Sequence, residues 1–211
     1  MSHSALVLFS GGQDSTTCLA WTLDRFDRVD TLGFNYGQRH RAELWVRPVI
    51  LNRLRDEFPQ WRHKIGVDKL LHVNIEKSNG TFVPGRNILF LIYAAAMVYQ
   101  SDTRDIVIGA CEADSFGFPD CRDDAIKAVQ IAINLGMQSK FVLHAPLMCI
   151  NKAETWKLSE TLGGSRLVEL IRDETHTCYE NDHEHQHPWG YGCGECAACQ
   201  RRAEGYRAYV L

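Results

Sequence analysis

A junction near the N-terminus constrains the fold most. Ala5-Leu6-Val7-Leu8-Phe9 is apolar without a break and runs straight into Ser10-Gly11-Gly12-Gln13-Asp14-Ser15. A continuous apolar run of this length has no wet face, so it suits a strand covered on both sides, as in a parallel sheet. The glycines then let the backbone turn tightly, and Asp14 to Arg25 reads as a helix. A strand, a glycine turn and a helix in succession is the opening unit of an α/β layer structure.

The rest of the chain repeats that alternation. Thr31 to Tyr36, Leu70 to Ile75, Ile106 to Ile108 and Phe141 to Leu143 read as strands. Between them, Arg41 to Phe58 carries a noisy helical pattern through Leu44, Trp45, Val49, Leu51 and Leu54, interrupted by Pro48. Asn87 to Gln100 is apolar almost all round, which predicts a buried helix. Asp123 to Leu135 is amphipathic, and Lys152 to Leu162 and Leu167 to Ile171 look helical. The expectation is a parallel five-stranded sheet with helices on both faces, over residues 1–174. From Thr175 the composition changes: residues 175–200 hold four Cys, four His and three Gly with little apolar periodicity. Residues 175–211 are expected to be a small metal-organised region packed on the α/β domain.

Composition narrows the function classes. At 211 residues the chain can bury a sizeable core without disulfides. Lys+Arg 23 against Asp+Glu 26 gives a formal charge of −3, which weighs against a stable nucleic-acid partner. No basic lead-in precedes the short apolar run Ala5–Phe9, and the run Ile88–Tyr99 is too short to span a bilayer. The chain therefore reads as cytoplasmic, with no membrane partner. Its eight Cys are expected to be reduced, and some of them to bind metal.

Two segments carry chemistry. The turn Ser10–Ser15 presents backbone N–H groups and a helix N-terminus, both suited to a phosphate anion, and adds the hydroxyls of Ser10 and Ser15. It lacks the Gly-Lys-Ser/Thr ending of a Walker loop. The second segment is Cys193-x2-Cys196-x2-Cys199, preceded by Cys178, whose four thiolates match the tetrahedral demand of structural zinc. Two alternatives stay open on spacing alone: His183, His185 or His187 in place of Cys178, and an iron–sulfur run. The latter lacks its usual continuation, because Gln200-Arg201-Arg202-Ala203 follows.

Ser-Gly-Gly-Gln-Asp-Ser resembles the SGGxDS motif of the ATP-pyrophosphatase (PP-loop) superfamily, in the position that superfamily carries it. Further pieces extend the likeness: Asn35-Tyr36-Gly37-Gln38-Arg39-His40, Val83-Pro84-Gly85-Arg86-Asn87, Gly109-Ala110 with Ala113-Asp114, Phe118-Pro119-Asp120-Cys121-Arg122, and Pro146-Leu147 before Asn151-Lys152. In order and spacing, with the C-terminal cysteines, they resemble the 7-cyano-7-deazaguanine synthase (QueC/ExsB) family from about Leu6 to Gly205. The His-rich segment Glu180 to Gly192 departs from that pattern in length.

The resemblance implies an adenine nucleotide alpha hydrolase-like fold. It also implies a ligase that converts 7-carboxy-7-deazaguanine, ammonia and ATP to the nitrile through adenylated acid and amide. Mg²⁺, Zn²⁺ and a homodimer come with it. On this sequence the implied ATP-binding stretch is Leu8, Phe9, Ser10, Gly11, Gly12, Gln13, Asp14, Ser15, Thr16, Thr17 and Cys18, and the zinc ligands are Cys178, Cys193, Cys196 and Cys199. Asp14 would hold the loop or, through Mg²⁺, the pyrophosphate. Arg86 and Lys152 are the candidate cations for developing charge, while Asp120 and Arg122 are candidates for reading the guanine-like edge and the carboxylate. The runners-up are a PP-loop enzyme of the tRNA-thiolation type and a zinc-ribbon binding module on an inactive scaffold.

Overall fold

A computed structural model of the chain describes residues 3–38, 42–75, 83–111 and 118–211. Arg39, His40, Ala113 and Asp114 lie outside them. Five parallel strands form one sheet in the order β3-β2-β1-β4-β5: β1 (Ser4–Leu8), β2 (Arg28–Asn35), β3 (Ile65–His72), β4 (Asp105–Val107) and β5 (Val142–His144). β1 is central, as its unbroken apolar run requires. Ala5, Val7 and Phe9 enter one core, against α1 (Gln13–Arg25), α2 (Ala42–Glu57) and the long helix α6 (Lys152–Glu174). Leu6 and Leu8 enter the other, against α4 (Arg86–Val98) and α5 (Asp123–Met137). Successive side chains point to opposite faces, so one strand feeds both cores.

Several elements differ from their sequence reading, each for a physical reason. α2 runs straight through Pro48, which is solvent-exposed, and buries Arg47, Ile50, Leu51 and Leu54 at helical spacing. Trp45 and Val49 fall on its outer face, with Trp45 70% exposed. The one-turn helix α3 (Pro59–Arg62) follows and buries Trp61. β3 begins at Ile65 rather than Leu70, because it is a sheet edge where the polar residues Asp68 and Lys69 mask the strand pattern. α4 is not buried all round: Leu91, Ala94, Ala95 and Val98 are buried, whereas Ile92 and Tyr93 remain exposed. The two helices expected in residues 152–171 are both present within Lys152–Glu174, separated by a break at Gly164, whose φ of +68° lies outside helical geometry.

The C-terminal segment leaves α6 at Thr175 and forms a short hairpin, β6 (Gln186–His187) and β7 (Gly190–Tyr191). It ends in α7 (Ala197–Val210). α7 lies against α6, with Tyr206 edge-on to the buried Trp156 at 5.2 Å. Arg202, fully buried, donates to the carbonyls of Ile171 (2.9 Å), Trp189 (3.0 Å) and Thr175 (3.2 Å), tying the hairpin and the end of α6 to α7. Among the described residues, no helix is long and apolar enough to cross a membrane.

Candidate active site

The strand order reverses between β1 and β4, and their connections leave to opposite faces of the sheet. In open α/β sheets a crevice opens at the C-terminal ends of the strands flanking such a switch point. Here the crevice has a volume of about 270 Å³. Its floor is the strand ends Leu8-Phe9, Leu32-Gly33-Phe34 and Ile108-Gly109-Ala110.

The Ser10–Ser15 turn lies at its centre. Gly11 has φ +96°, and a Cβ there would fall 2.4 Å from the Glu43 carbonyl oxygen, so only glycine lets the start of α2 approach the turn. Ser15 Oγ accepts from the N–H groups of Ser10 and Gly11, both at 3.2 Å, and Ser10 Oγ accepts from Gly12 N–H at 3.2 Å. Two serine hydroxyls thus take up three backbone N–H groups and pin the turn, leaving the first-turn N–H groups of α1 as the donors of a preformed cradle for an anion. Leu8, Phe9, Ser10, Gly12, Gln13, Asp14 and Ser15 line the crevice. Thr16, Thr17 and Cys18 point away from it. They are fully buried, with Thr16 and Thr17 hydroxyls donating to Gly12 and Gln13 carbonyls and the Cys18 thiol towards the Ile108 carbonyl.

The candidate charged residues divide in the same way. Lys152, at the first position of α6, reaches across to Asp14 with Nζ 2.5 Å from Oδ2. Arg86, at the first position of α4, donates to the Tyr36 hydroxyl at 3.0 Å and lines the crevice. Asp120 is buried one layer behind, where its carboxylate accepts the Asn87 N–H at 2.8 Å and holds the start of α4. Arg122 is exposed at the N-terminus of α5 and does not line the crevice.

Three lining features escaped the sequence reading. Phe34 and Phe90 stack face to face at 3.9 Å with their planes 1° apart, and Tyr36 lies beside Phe90 tilted by 55°, giving an aromatic wall. Glu43, in the first turn of α2, faces the crevice half-buried. Burial pushes its carboxyl up to about 8, outweighing the opposing pull of Arg86. Thr177, Tyr179, Ala198, Arg201 and Arg202 of the C-terminal segment form a further wall. No local pattern marks them, because they reach the crevice only through the packing of α7 on α6.

Below that wall the four candidate thiols meet. The Sγ atoms of Cys178, Cys193, Cys196 and Cys199 all lie within 4.8 Å of one another. The turn that gathers them passes through Gly192 at φ +155°, where a Cβ would fall 2.6 Å from Cys199 Sγ. Burial disfavours the Cys196 thiolate, but N–H donors from Cys199 and Tyr179 outweigh it and bring the thiol down to about 7. The three candidate histidines are engaged elsewhere: His183 stacks on His176 at 3.9 Å, His185 pairs with Asp182 at 2.7 Å, and His187 lies within hydrogen-bond distance of the Gly192 carbonyl, stacked on Trp189. Four sulfur donors with no histidine among them make a closed four-coordinate set that can bind a metal.

Known proteins match this arrangement over its full extent. The model of the family described as queuosine biosynthesis protein QueC matches residues 4–210. The chain belongs to that family. A relative from Mesorhizobium japonicum, named 7-cyano-7-deazaguanine synthase 2, is 52% identical over 98% of this chain and 92% of its own. A Burkholderia mallei relative, named 7-cyano-7-deazaguanine synthase, is 53% identical with the same coverage. Among solved structures, a 4-thiouridine synthetase in complex with RNA and ATP superposes with a TM-score of 0.55 at 14% identity. That match covers 99% of this chain and 53% of the other, and it shows a shared fold. The QueC match spans both the turn after β1 and the four-cysteine cluster.

Proposed function

We propose that this chain is a 7-cyano-7-deazaguanine synthase, an ATP-dependent ligase that turns 7-carboxy-7-deazaguanine and ammonia into the nitrile used as a queuosine or archaeosine precursor. The observation that carries this is the 52–53% identity to named synthases over 98% of the chain, on a fold that sets a phosphate cradle beside an aromatic wall. A carboxylate is a poor electrophile, so both of its oxygens must be made leaving groups. Adenylation of the acid, attack by ammonia, adenylation of the amide oxygen and elimination achieve this with two ATP.

In that scheme the Ser10–Ser15 cradle receives the ATP phosphates, and Lys152, held by Asp14, faces the charge that develops as pyrophosphate leaves. Mg²⁺ carried in with ATP would neutralise phosphate charge there. The Phe34–Phe90 wall takes the deazaguanine ring by stacking, and Arg86 meets its carboxylate. Zn²⁺ is the metal proposed for the four thiolates, in a structural role, since four protein ligands leave no open position. We further propose a cytoplasmic homodimer. α4 and α5 leave Ile92, Tyr93, Ile131 and Leu135 exposed, apolar surface that a second copy would cover.

The deciding experiment is mass analysis of the products formed from ATP, ammonia and 7-carboxy-7-deazaguanine. Nitrile and AMP support the reading. Pyrophosphate released only when tRNA is supplied would replace it with a thiolation-type enzyme.

A further inference from the structure

We propose that the Glu43 carboxylate is the proton acceptor for the nitrogen steps of this reaction. It takes a proton from ammonia as the acyl adenylate is attacked, and from the amide nitrogen as the second adenylate collapses to the nitrile. The inference rests on the synthase reading and names a residue for a step that reading leaves without one.

Among the described lining residues only Asp14 and Glu43 carry carboxyls, and Asp14 is taken by Lys152. Glu43 is placed by the backbone: its own carbonyl abuts Gly11, so its side chain stands over the cradle, and Ser10 hydrogen-bonds it. Charged groups face the crevice from every neighbouring element: Asp14 from α1, Arg86 from α4, Lys152 from α6, and Arg201 and Arg202 from α7. Burial and Asp14 raise the carboxyl, Arg86 and Ser10 lower it, and the balance leaves it near 8. A base poised near the working pH transfers protons most effectively.

The steps balance as follows. Ammonia forms the C–N bond, the C–O bond to AMP breaks, and one N–H proton passes to Glu43, leaving the amide. The amide oxygen displaces pyrophosphate from a second ATP, and one N–H proton is lost. The C–O bond to the second AMP then breaks as the last N–H pair becomes the third C–N bond, giving nitrile, AMP and a proton. Glu43 releases each proton to solvent before the next step.

The test is Glu43→Gln, which keeps a hydrogen bond to Ser10 and removes the base. Pyrophosphate exchange into ATP, driven by the acid alone, is expected to persist within a few-fold, and hydroxylamine is expected to trap the adenylate as a hydroxamate. Nitrile formation at constant free ammonia is expected to fall roughly 10²–10⁴-fold, the usual loss of a general base. Its rise with pH through about 8 is expected to vanish. Glu43→Asp, which keeps a carboxyl, is expected to restore part of the nitrile rate. Nitrile made at the wild-type rate by Glu43→Gln would overturn the proposal, as would equal loss of exchange and nitrile, which would make Glu43 a brace for the cradle. If the wild-type chain shows no acid-dependent exchange, the synthase reading itself fails and takes the proposal with it.

Discussion

Lys152 Nζ lies 2.5 Å from Asp14 Oδ2, joining the first position of α6 to the first turn of α1 across 138 positions of sequence. The pair is mostly shielded from solvent and flanks the anion cradle. Asp14→Ala frees Lys152 to swing away from the phosphates. It is expected to lower ATP-dependent nitrile formation by about 10²-fold or more, the scale of losing one preorganised electrostatic contact. Metal content, read by elemental analysis, is expected to stay unchanged. Nitrile formation retained in this variant would dismiss the pair's role.

The metal cluster gives a different signature. Cys196→Ser, or exhaustive chelation, is expected to release the metal and lower the melting temperature, since structural zinc in small sites is worth roughly 10–16 kcal/mol. ATP affinity is expected to fall with it, because Arg201, Arg202 and Thr177 reach the crevice from the segment the thiolates hold. Isothermal titration with ATP beside thermal melting checks both. A variant with normal melting and no turnover would assign the cluster a catalytic role instead.

Gly33 makes room for a buried charge. A Cβ at that position would sit 1.1 Å from Arg47 Nη1, whose guanidinium pairs with Asp68 and donates to the Lys69 carbonyl at 3.0 Å. Gly33→Ala is expected to displace Arg47 and cost about 3–5 kcal/mol in urea unfolding, the range for breaking a buried ion pair. Adding Arg47→Met to Gly33→Ala is expected to recover part of that loss. Additive losses in the double variant would show that the two positions do not interact.

Glu43 also makes stability pH-dependent. Its carboxyl is raised from 4.5 to about 8 in the folded chain, so across that window the native state holds the proton that the unfolded chain has released. Stability from this group is therefore complete below about pH 4.5 and is lost as pH rises through about 8. Glu43→Gln removes the loss, so its melting temperature relative to wild type is expected to climb between these limits. A flat difference across the window would place the carboxyl in the ordinary range.

The main architecture was legible because β1 carries its own evidence: five apolar residues in a row fit only a strand buried on both faces. The cradle was legible for a related reason, since its glycines and serines are contiguous and act through their own backbone. The cysteines announced themselves by spacing. Glu43 and the Phe34–Phe90 wall did not, because each becomes part of a site only when α2 and α4 are laid beside the strand ends. Arg122, close in sequence to Asp120, is exposed at the N-terminus of α5 and is not among the described residues that line the crevice. α4 misled through composition, because Ile92 and Tyr93 are apolar yet exposed, and hydrophobicity alone does not state which surface buries a residue.

The wall supplied by Thr177, Arg201 and Arg202 has a consequence for biogenesis. The sheet is complete once β5 has been synthesised at His144, and the cradle exists long before that. The crevice gains its last wall only when α7, at the far end of the chain, packs against α6. A chain in which α7 has not settled on α6 would leave the Ser10–Ser15 turn open on that side, so loss of the thiol cluster is expected to cost the crevice a wall and not stability alone.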